Sequence, residues 1–147
     1  MRALVQRVER AHVDVHDPDG TVRRTGELTS PGLLVLLGVG HGDGDDQVTW
    51  LADRLAGLRL LRGELSVLDT EAGILLISQF TLLGDVRRGR RPSWSAAARG
   101  PVAEPLVAAL AGALVERGVS VATGEFGADM RVGLVNDGPV TVLLDTP

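Results

Sequence analysis

Two uninterrupted apolar stretches decide the fold: residues 32–39, GLLVLLGV, and residues 73–82, GILLISQFTL. A strand that buries one face alternates apolar and polar side chains, whereas a strand that buries both faces is apolar throughout. We therefore predict two strands that are buried on both sides. The second stretch ends in polar residues, so it brings hydroxyl and amide groups to the end of a buried strand.

The sequence on either side predicts further strands and two main helices. Residues 2–16 alternate as a strand does, and the turn signal at residues 17–20 predicts a hairpin with residues 21–28. Apolar residues at helical spacing predict a helix from Asp45 or Asp46 to Gly63 and another over residues 101–118. The other predicted strands cover residues 65–68, 119–123, 130–135 and 140–144.

This order of elements predicts a mixed α/β (α+β) fold, because strands and helices alternate without a repeat. No linker divides the chain, so we expect one domain over residues 1–147. The short connections between strands favour mostly antiparallel pairing.

The composition limits the possible functions. Among 147 residues there is no Cys and no Lys, which excludes a disulfide framework, a thiolate nucleophile and a Schiff-base lysine. Two Phe and two Trp are the only aromatic rings, which argues against a base-stacking platform. A net charge of −4 argues against coating of nucleic acid, DNA included, or adsorption to membranes. The charged first residues lack an apolar signal segment, so we expect a cytoplasmic protein.

The segment Ser78-Gln79-Phe80-Thr81 is the first candidate site. Backbone N–H groups at the end of a buried strand can point at a developing oxyanion, and Thr81 can position a water or a substrate oxygen. The alternative is that these side chains only cap the strand end through local hydrogen bonds.

A basic loop is the second candidate. Four arginines fall within five residues: Arg87, Arg88, Arg90 and Arg91. Without their charges the net charge of the protein would be −8 rather than −4. A cationic patch on an acidic body suits contact with phosphate groups. The alternative is a solvated loop that limits aggregation.

Two further stretches could shape a pocket. Residues 136–141, NDGPVT, are typical of a turn between strands, although two parallel carbonyls beside a cis Gly138-Pro139 bond would suit an ammonium group. Residues 124–130, GEFGADM, combine glycines with a ring and a thioether, and they fit either a small pocket or a tight bend with core residues.

The only candidate metal cluster is His12, Asp14 and His16, which share one face of a strand. We favour a solvated face over a metal hydrolase, because one strand hairpin rarely closes a metal site. We predict no metal and no cofactor.

Taken together, these stretches resemble the D-aminoacyl-tRNA deacylases from the first residue to about Leu144. Each motif is weak alone, but six occur in the family's order: residues 3–8 (ALVQRV), 32–39 (GLLVLLGV), 78–82 (SQFTL), 91–94 (RPSW), 127–130 (GADM) and 136–141 (NDGPVT). The resemblance implies the family's fold and an editing hydrolase that cleaves the ester between a D-amino acid and the terminal adenosine of tRNA. Activity on glycyl-tRNA is a further hypothesis.

The resemblance also implies a role for each candidate residue. The segment of Ser78, Gln79, Phe80 and Thr81 would form the catalytic wall, with backbone N–H groups near Gln79 and Phe80 as the oxyanion hole. The family is a homodimer in which a cis Gly-Pro pair reaches the partner's pocket, so Gly138 and Pro139 would reject L side chains. The remaining contacts would be Arg7 to the Gly-Pro loop, Phe126 and Met130 around the adenosine, and Arg87, Arg88, Arg90 and Arg91 to tRNA phosphates.

The sequence departs from the family at three points. Residues 61–66, LRGELS, are shorter than the family's hairpin, Trp94 stands where Phe is common, and Arg88 stands where Lys is frequent. The resemblance implies two routes for the family, attack by the threonine at the position of Thr81 or activation of water by the tRNA's terminal 2′-hydroxyl. No motif of this sequence contains a general base, which suits the second route. The alternative function is a non-catalytic tRNA-binding module that uses the loop of residues 87–91.

Overall fold

A computed structural model describes residues 1–87 and 89–147, and in this part of the chain six strands form one mixed sheet. The elements in chain order are β1 (Arg2–His16), β2 (Val22–Leu28), β3 (Gly32–Gly38), α1 (Asp45–Gly57), α2 (Val67–Thr70), β4 (Ile74–Ser78), a 3-10 helix (Phe80–Leu83), α3 (Gly100–Glu116), β5 (Val121–Thr123) and β6 (Met130–Asp145). None of the helices described is long and apolar enough to cross a membrane.

The long strand β1 organises the sheet. On one edge its residues 2–8 pair with β3 and its residues 11–16 pair with β2, while β6 runs along the other edge, and all three pairings are antiparallel. Beyond β3 the strands β4 and β5 add in parallel. The predicted mixed fold class is therefore confirmed, with three antiparallel and two parallel pairings among the strands described.

The two apolar stretches are strands buried on both faces, as predicted. Alternate side chains of β3 and β4 point to opposite sides, so Leu33 and Leu76 join a core with α1 and α3, whereas Leu34 and Leu75 join a second core under β1. The sheet curls round this second core and brings β2 against β5. At the closest point a Cβ on Gly26 would lie 2.6 Å from the Thr123 carbonyl oxygen, so only glycine fits there.

Residues 65–68 are not a strand, and this prediction is wrong. Ser66 begins α2 by a reciprocal capping box: its hydroxyl accepts from the Asp69 N–H at 3.2 Å, and the Asp69 carboxylate accepts from the Ser66 N–H at 2.9 Å. The buried Ser66 therefore fixes a helical turn where apolar alternation suggested a strand.

Three predicted boundaries also differ. Helix α1 ends at Gly57 rather than Gly63, β4 ends at Ser78 rather than continuing to residue 82, and residues 130–145 form one strand rather than two. The last two differences fall in the candidate site, where they change its geometry.

Candidate active site

The carboxyl ends of β3 and β4 open into a cavity of about 470 Å³ beneath α3. Ligand sites in open sheets commonly lie at this end of parallel strands. The lining is mostly apolar, and it comprises Leu37, Val39, Ile77, Ser78, Gln79, Phe80, Ala98, Gly100, Ala103, Val107, Phe126, Gly127, Ala128, Met130 and Val132. The structure thus brings Ser78, Gln79 and Phe80 together with Phe126 and Met130.

A sharp change of direction after β4 exposes backbone N–H groups beside this cavity. The Gln79 N–H donates to the Leu37 carbonyl at 2.6 Å, which continues the ladder with β3 by one residue. The 3-10 helix then begins at Phe80, and the first N–H groups of a helix have no acceptor within it. Within residues 1–87 and 89–147, the N–H groups of Phe80 and Thr81 donate to no protein acceptor.

These contacts correct part of the predicted oxyanion hole. The Gln79 N–H is already bonded, so the available donors are the N–H groups of Phe80 and Thr81. The Thr81 side chain is exposed outside the cavity lining, and its hydroxyl accepts from the Gln79 amide at 2.5 Å. Ser78, Gln79 and Phe80 therefore line the cavity, and the exposed Thr81 side chain does not.

One glycine makes room for a side chain that lines the cavity. A Cβ on Gly124 would lie 2.7 Å from the sulfur of Met130. Gly124 therefore leaves room for Met130 to turn into the cavity. The stretch of residues 124–130 shapes the pocket, which was one of its two predicted interpretations.

Arg7, Gly138 and Pro139 lie elsewhere, at an irregularity between β1 and β6. Gln6 is opposite Thr141 and Val8 is opposite Asn136, so residues 137–140 bulge out against the single residue Arg7. The Gly138-Pro139 bond is cis, and both residues are exposed. The segment is a bulge within one strand, so the predicted turn between two strands is wrong. We call residues 137–140 the bulge loop.

Side chains from distant parts of the chain fix the bulge loop. Arg7 donates from Nε to the Asp137 carbonyl and from Nη1 to the Leu60 carbonyl, both at 3.1 Å. Arg62 binds both oxygens of the Asp137 carboxylate, at 2.5 and 3.0 Å. The Asn136 amide donates to the carbonyls of Arg7 and Val140, at 2.9 and 3.0 Å, and so closes the base of the loop.

These contacts show functional candidates that the sequence did not reveal. The sequence predicted no role for Arg62 or Asn136 individually. Arg62 is 75 residues from Asp137, and no motif spacing connects the two. The Arg62 hydrogen bonds, reinforced by the charges of Arg62 and Arg7, lower the pKa of the Asp137 carboxyl. The segment of residues 61–66 therefore contributes an anchor for the bulge loop through Arg62.

The basic loop is closed by a short antiparallel contact between Asp85 and Ser93, with backbone hydrogen bonds of 2.8 and 2.9 Å. Arg87 binds the Asp85 carboxylate, which lowers the pKa of Asp85 to about 2. The positive charge of Arg87 is therefore partly balanced within the loop. Arg90 and Arg91 are exposed and form no ion pair in the described part of the chain, and Arg88 lies outside the described residues.

In the candidate metal cluster of His12, Asp14 and His16, the carboxylate is paired with an arginine. Arg24 binds both oxygens of Asp14, at 2.8 and 3.2 Å, and lowers the pKa of this carboxyl. His12 lies 3.8 Å from the same carboxylate. Among the residues described, no three His, Asp or Glu side chains are arranged to hold a metal ion.

Comparison with solved structures first defines the class. A structure titled "c-Myc DNA Unwinding Element Binding Protein" is 34% identical, with a TM-score of 0.88, and covers 100% of this chain and 99% of its own. A structure described as a probable eukaryotic D-amino acid tRNA deacylase has the same fold, with a TM-score of 0.77 at 18% identity over 99% of this chain and 98% of its own. The fold is thus that of the deacylase class.

Sequence comparison then gives the family. The profile of the D-Tyr-tRNA(Tyr) deacylase family matches residues 4–145. A protein of Beutenbergia cavernae named D-aminoacyl-tRNA deacylase is 59% identical over 145 residues, which cover 99% of each chain. The chain belongs to the D-Tyr-tRNA(Tyr) deacylase family and is an enzyme of the hydrolase class. This confirms the resemblance and favours an enzyme over a non-catalytic binding module.

Proposed function

We propose that the protein hydrolyses the ester bond of D-aminoacyl-tRNA, releasing free D-amino acid and tRNA. The observation that carries this proposal is the N–H of Phe80, which donates to no acceptor in the described part of the chain and lies at an apolar cavity of about 470 Å³. Water adds to the ester carbonyl, the carbonyl oxygen becomes an oxyanion, and the N–H groups of Phe80 and Thr81 stabilise it. The bond to the 3′-oxygen of the terminal adenosine then breaks, and that oxygen takes up a proton. Backbone donors aimed at an oxyanion commonly supply about 100-fold or more in rate.

The substrate itself supplies the group that activates water. Among the described residues that line the cavity, the only polar side chains are Ser78 and Gln79, and neither is a base near neutral pH. Thr81 is not part of the cavity lining, and its hydroxyl accepts a hydrogen bond from the Gln79 side-chain amide. We therefore assign the activation of water to the terminal 2′-hydroxyl of tRNA, and a substrate with a 2′-deoxy terminal adenosine should be hydrolysed far more slowly.

A second copy of the chain distinguishes D-aminoacyl from L-aminoacyl substrates. Gly138 and Pro139 are exposed and lie outside the cavity lining of their own chain, which supports a bulge loop that meets the substrate in a partner's cavity. In such a homodimer the Gly138 and Pro139 carbonyls face the α-ammonium group, and the loop fills the space that an L side chain needs. Glycine has no side chain to reject, so glycyl-tRNA is also a substrate.

The basic loop holds the rest of the tRNA. The exposed guanidinium groups of Arg90 and Arg91 contact phosphates next to the cavity, in which Phe126 and Met130 pack against the terminal adenosine. Arg87 contributes less, because Asp85 balances its charge. We place the reaction in the cytoplasm, where aminoacyl-tRNAs are consumed by translation.

The direct test compares D-aminoacyl-, L-aminoacyl- and glycyl-tRNA hydrolysis, with and without a chelator. We expect release from the D and glycyl substrates and protection of the L substrate. Equal hydrolysis of D and L substrates would refute the selectivity. Binding of tRNA with no release from any substrate would instead support a non-catalytic module.

A mixing experiment tests the partner's contribution. One chain carries Phe80→Pro, which removes the Phe80 N–H, and the other carries Gly138→Ala, which disturbs the bulge loop. A mixed dimer contains one site with an intact cavity and an intact partner loop, so selective hydrolysis of the D substrate should return. If the loop acted within its own chain, the mixture would only average its two components.

A further inference from the structure

Two of the four aromatic rings form an exposed pair at the rim of the cavity. The ring centroids of Phe80 and Trp94 are 5.6 Å apart, and the rings meet edge to face at 80°. Phe80 is 54% exposed and Trp94 is 41% exposed. Large rings are normally buried in monomeric domains, so an exposed contacting pair indicates a binding surface.

The backbone holds Trp94 firmly in this position. A Cβ on Gly84 would lie 2.5 Å from Cζ3 of Trp94, so the indole packs directly on the glycine backbone. The contact between Asp85 and Ser93 closes the basic loop immediately beside this point. Trp94 therefore stands at the fixed base of the loop that carries Arg90 and Arg91.

The ring pair is continuous with the cavity. Phe80 lines the cavity and also contacts Trp94, so a chain of nucleotides that leaves the cavity would pass over the rings. The neighbouring exposed charges, Arg90 and Arg91, are positive. A partner with flat apolar faces and a negatively charged backbone fits both features, and an unpaired nucleotide has this chemistry.

We propose that Trp94, supported by Phe80, stacks on the unpaired nucleotide that precedes the terminal adenosine of the tRNA. This inference rests on the proposed function, which places the terminal adenosine in the cavity. A single stacked base needs only one or two rings, so the scarcity of aromatic residues excludes an extended platform but not this contact. Stacking tolerates every base, so it strengthens binding without selecting among tRNAs.

A binding experiment tests the contact without catalysis. Trp50→Phe removes the only other tryptophan, and Trp94 then supplies the fluorescence. The trinucleotide CCA should quench this fluorescence, whereas adenosine alone should leave it almost unchanged. Equal effects of both ligands, or no effect of the trinucleotide, would refute the stacking contact.

A kinetic experiment separates stacking from pocket structure. Trp94→Leu should lower kcat/KM for D-aminoacyl-tRNA about tenfold, mainly through KM, because one stacked base is lost. It should leave hydrolysis of the D-aminoacyl ester of adenosine unchanged, since this substrate lacks the preceding nucleotide. Trp94→Phe, which keeps a ring, should retain most of the activity on tRNA.

Other results would overturn the proposal in recognisable ways. Equal losses on tRNA and on the adenosine ester would show that Trp94 only shapes the cavity. A change of oligomeric state in Trp94→Leu, measured by sedimentation, would show that the rings contact a second copy. If the unmodified protein hydrolysed neither ester, the proposed function itself would fail, while the fluorescence experiment would still report on stacking.

Discussion

The cavity beneath α3 and the bulge loop are held in shape by different forces. The cavity is lined mainly by apolar side chains, which come from β3, β4, α3, β6 and the connections between these elements. The bulge loop is held by hydrogen bonds and ion pairs from Arg7, Arg62 and Asn136. Packing fixes the first region, and charged contacts fix the second.

This difference suggests that reaction rate and stereochemical selection can be altered separately. A change in the cavity wall should slow hydrolysis of every accepted substrate. A change in the bulge loop should alter the ratio of D to L hydrolysis and leave the rate on the D substrate nearly intact. The following predictions test this separation, beginning with the largest effect.

Phe80→Pro should reduce kcat about 100-fold or more, because proline lacks the N–H that is expected to stabilise the oxyanion. Proline is compatible with the first position of a helical turn, so the 3-10 helix should persist. Phe80→Ala is the matched control, since it removes the ring and keeps the N–H. Single-turnover hydrolysis of D-aminoacyl-tRNA measures the difference, and equal kcat values for the two variants would contradict the role of this N–H.

Gly138→Ala should reduce discrimination between D and L substrates about tenfold or more. Gly138 has a φ of 124°, and a Cβ there would lie 2.8 Å from Nη2 of Arg7 and 2.9 Å from Cγ2 of Val140, so the loop must move. The measurement is the ratio of kcat/KM values for the two substrates.

Gly20→Ala provides the control for Gly138→Ala. Gly20 has a φ of 88° in a turn, and a Cβ there would meet no atom within 4 Å. It also places an alanine at a positive φ but makes no contact with Arg7, so its D to L ratio should equal that of the unmodified protein. A similar loss of discrimination in both variants would show that general destabilisation is the cause.

Arg62→Gln should change the D to L ratio by a few-fold at neutral pH, because the exposed ion pair with Asp137 is only one of several anchors. Arg62 lowers the pKa of Asp137 in the folded protein, so the anchor is complete above the usual carboxyl range and is lost as the pH falls. Without Arg62 the pKa of the Asp137 carboxyl should rise towards the ordinary range of aspartate, because the largest cause of its lowering is removed.

The titration of Asp137 can be followed directly by NMR of its carboxyl carbon in both proteins. Arg131→Gln is the matched control, since Arg131 lies on the same strand and pairs with Asp129. It should leave the pKa of Asp137 and the D to L ratio unchanged. An unaltered Asp137 titration in Arg62→Gln would contradict the assigned contact.

Arg90→Gln should have the smallest effect, which should be equal for D and L substrates. Removal of one phosphate contact weakens tRNA binding at low salt and reduces the slope of log K against log salt by about one. The measurement is tRNA affinity over a range of salt concentrations. A change in the D to L ratio would show that the basic loop also takes part in selection.

The sequence predicts the elements that depend on local patterns. The apolar runs of β3 and β4 and the spacing of Val48, Leu51 and Leu55 in α1 are sufficient, because burial follows directly from them. A local sequence signal could have prevented the wrong prediction of a strand at residues 65–68. Ser66 and Asp69 stand three residues apart as a capping box requires, and this signal outweighs a short apolar run.

The geometry of the candidate site depends on contacts that no local pattern records. The segment of Ser78, Gln79 and Phe80 is recognisable in the sequence. The sequence does not show, however, that the Gln79 N–H donates to the Leu37 carbonyl of a neighbouring strand and is therefore not free for a substrate. The Arg62 anchor joins two distant segments through a hydrogen-bonded ion pair with Asp137. Pairings between strands and ion pairs of this range can be known only once the chain is folded.

The bulge between β1 and β6 also separates the length of its loop from the register of the strands. Beyond the loop Ala3 faces Leu144, and before it Val13 faces Val132, so buried odd-numbered residues of β1 meet even-numbered residues of β6 on both sides. Successive residues of a strand point to opposite faces. Residues 137–140 have no partner in the ladder, so both halves of β6 can stay in place when the loop alone takes up a change in length. A one-residue shift in the register of either half would instead turn its buried side chains to the opposite face.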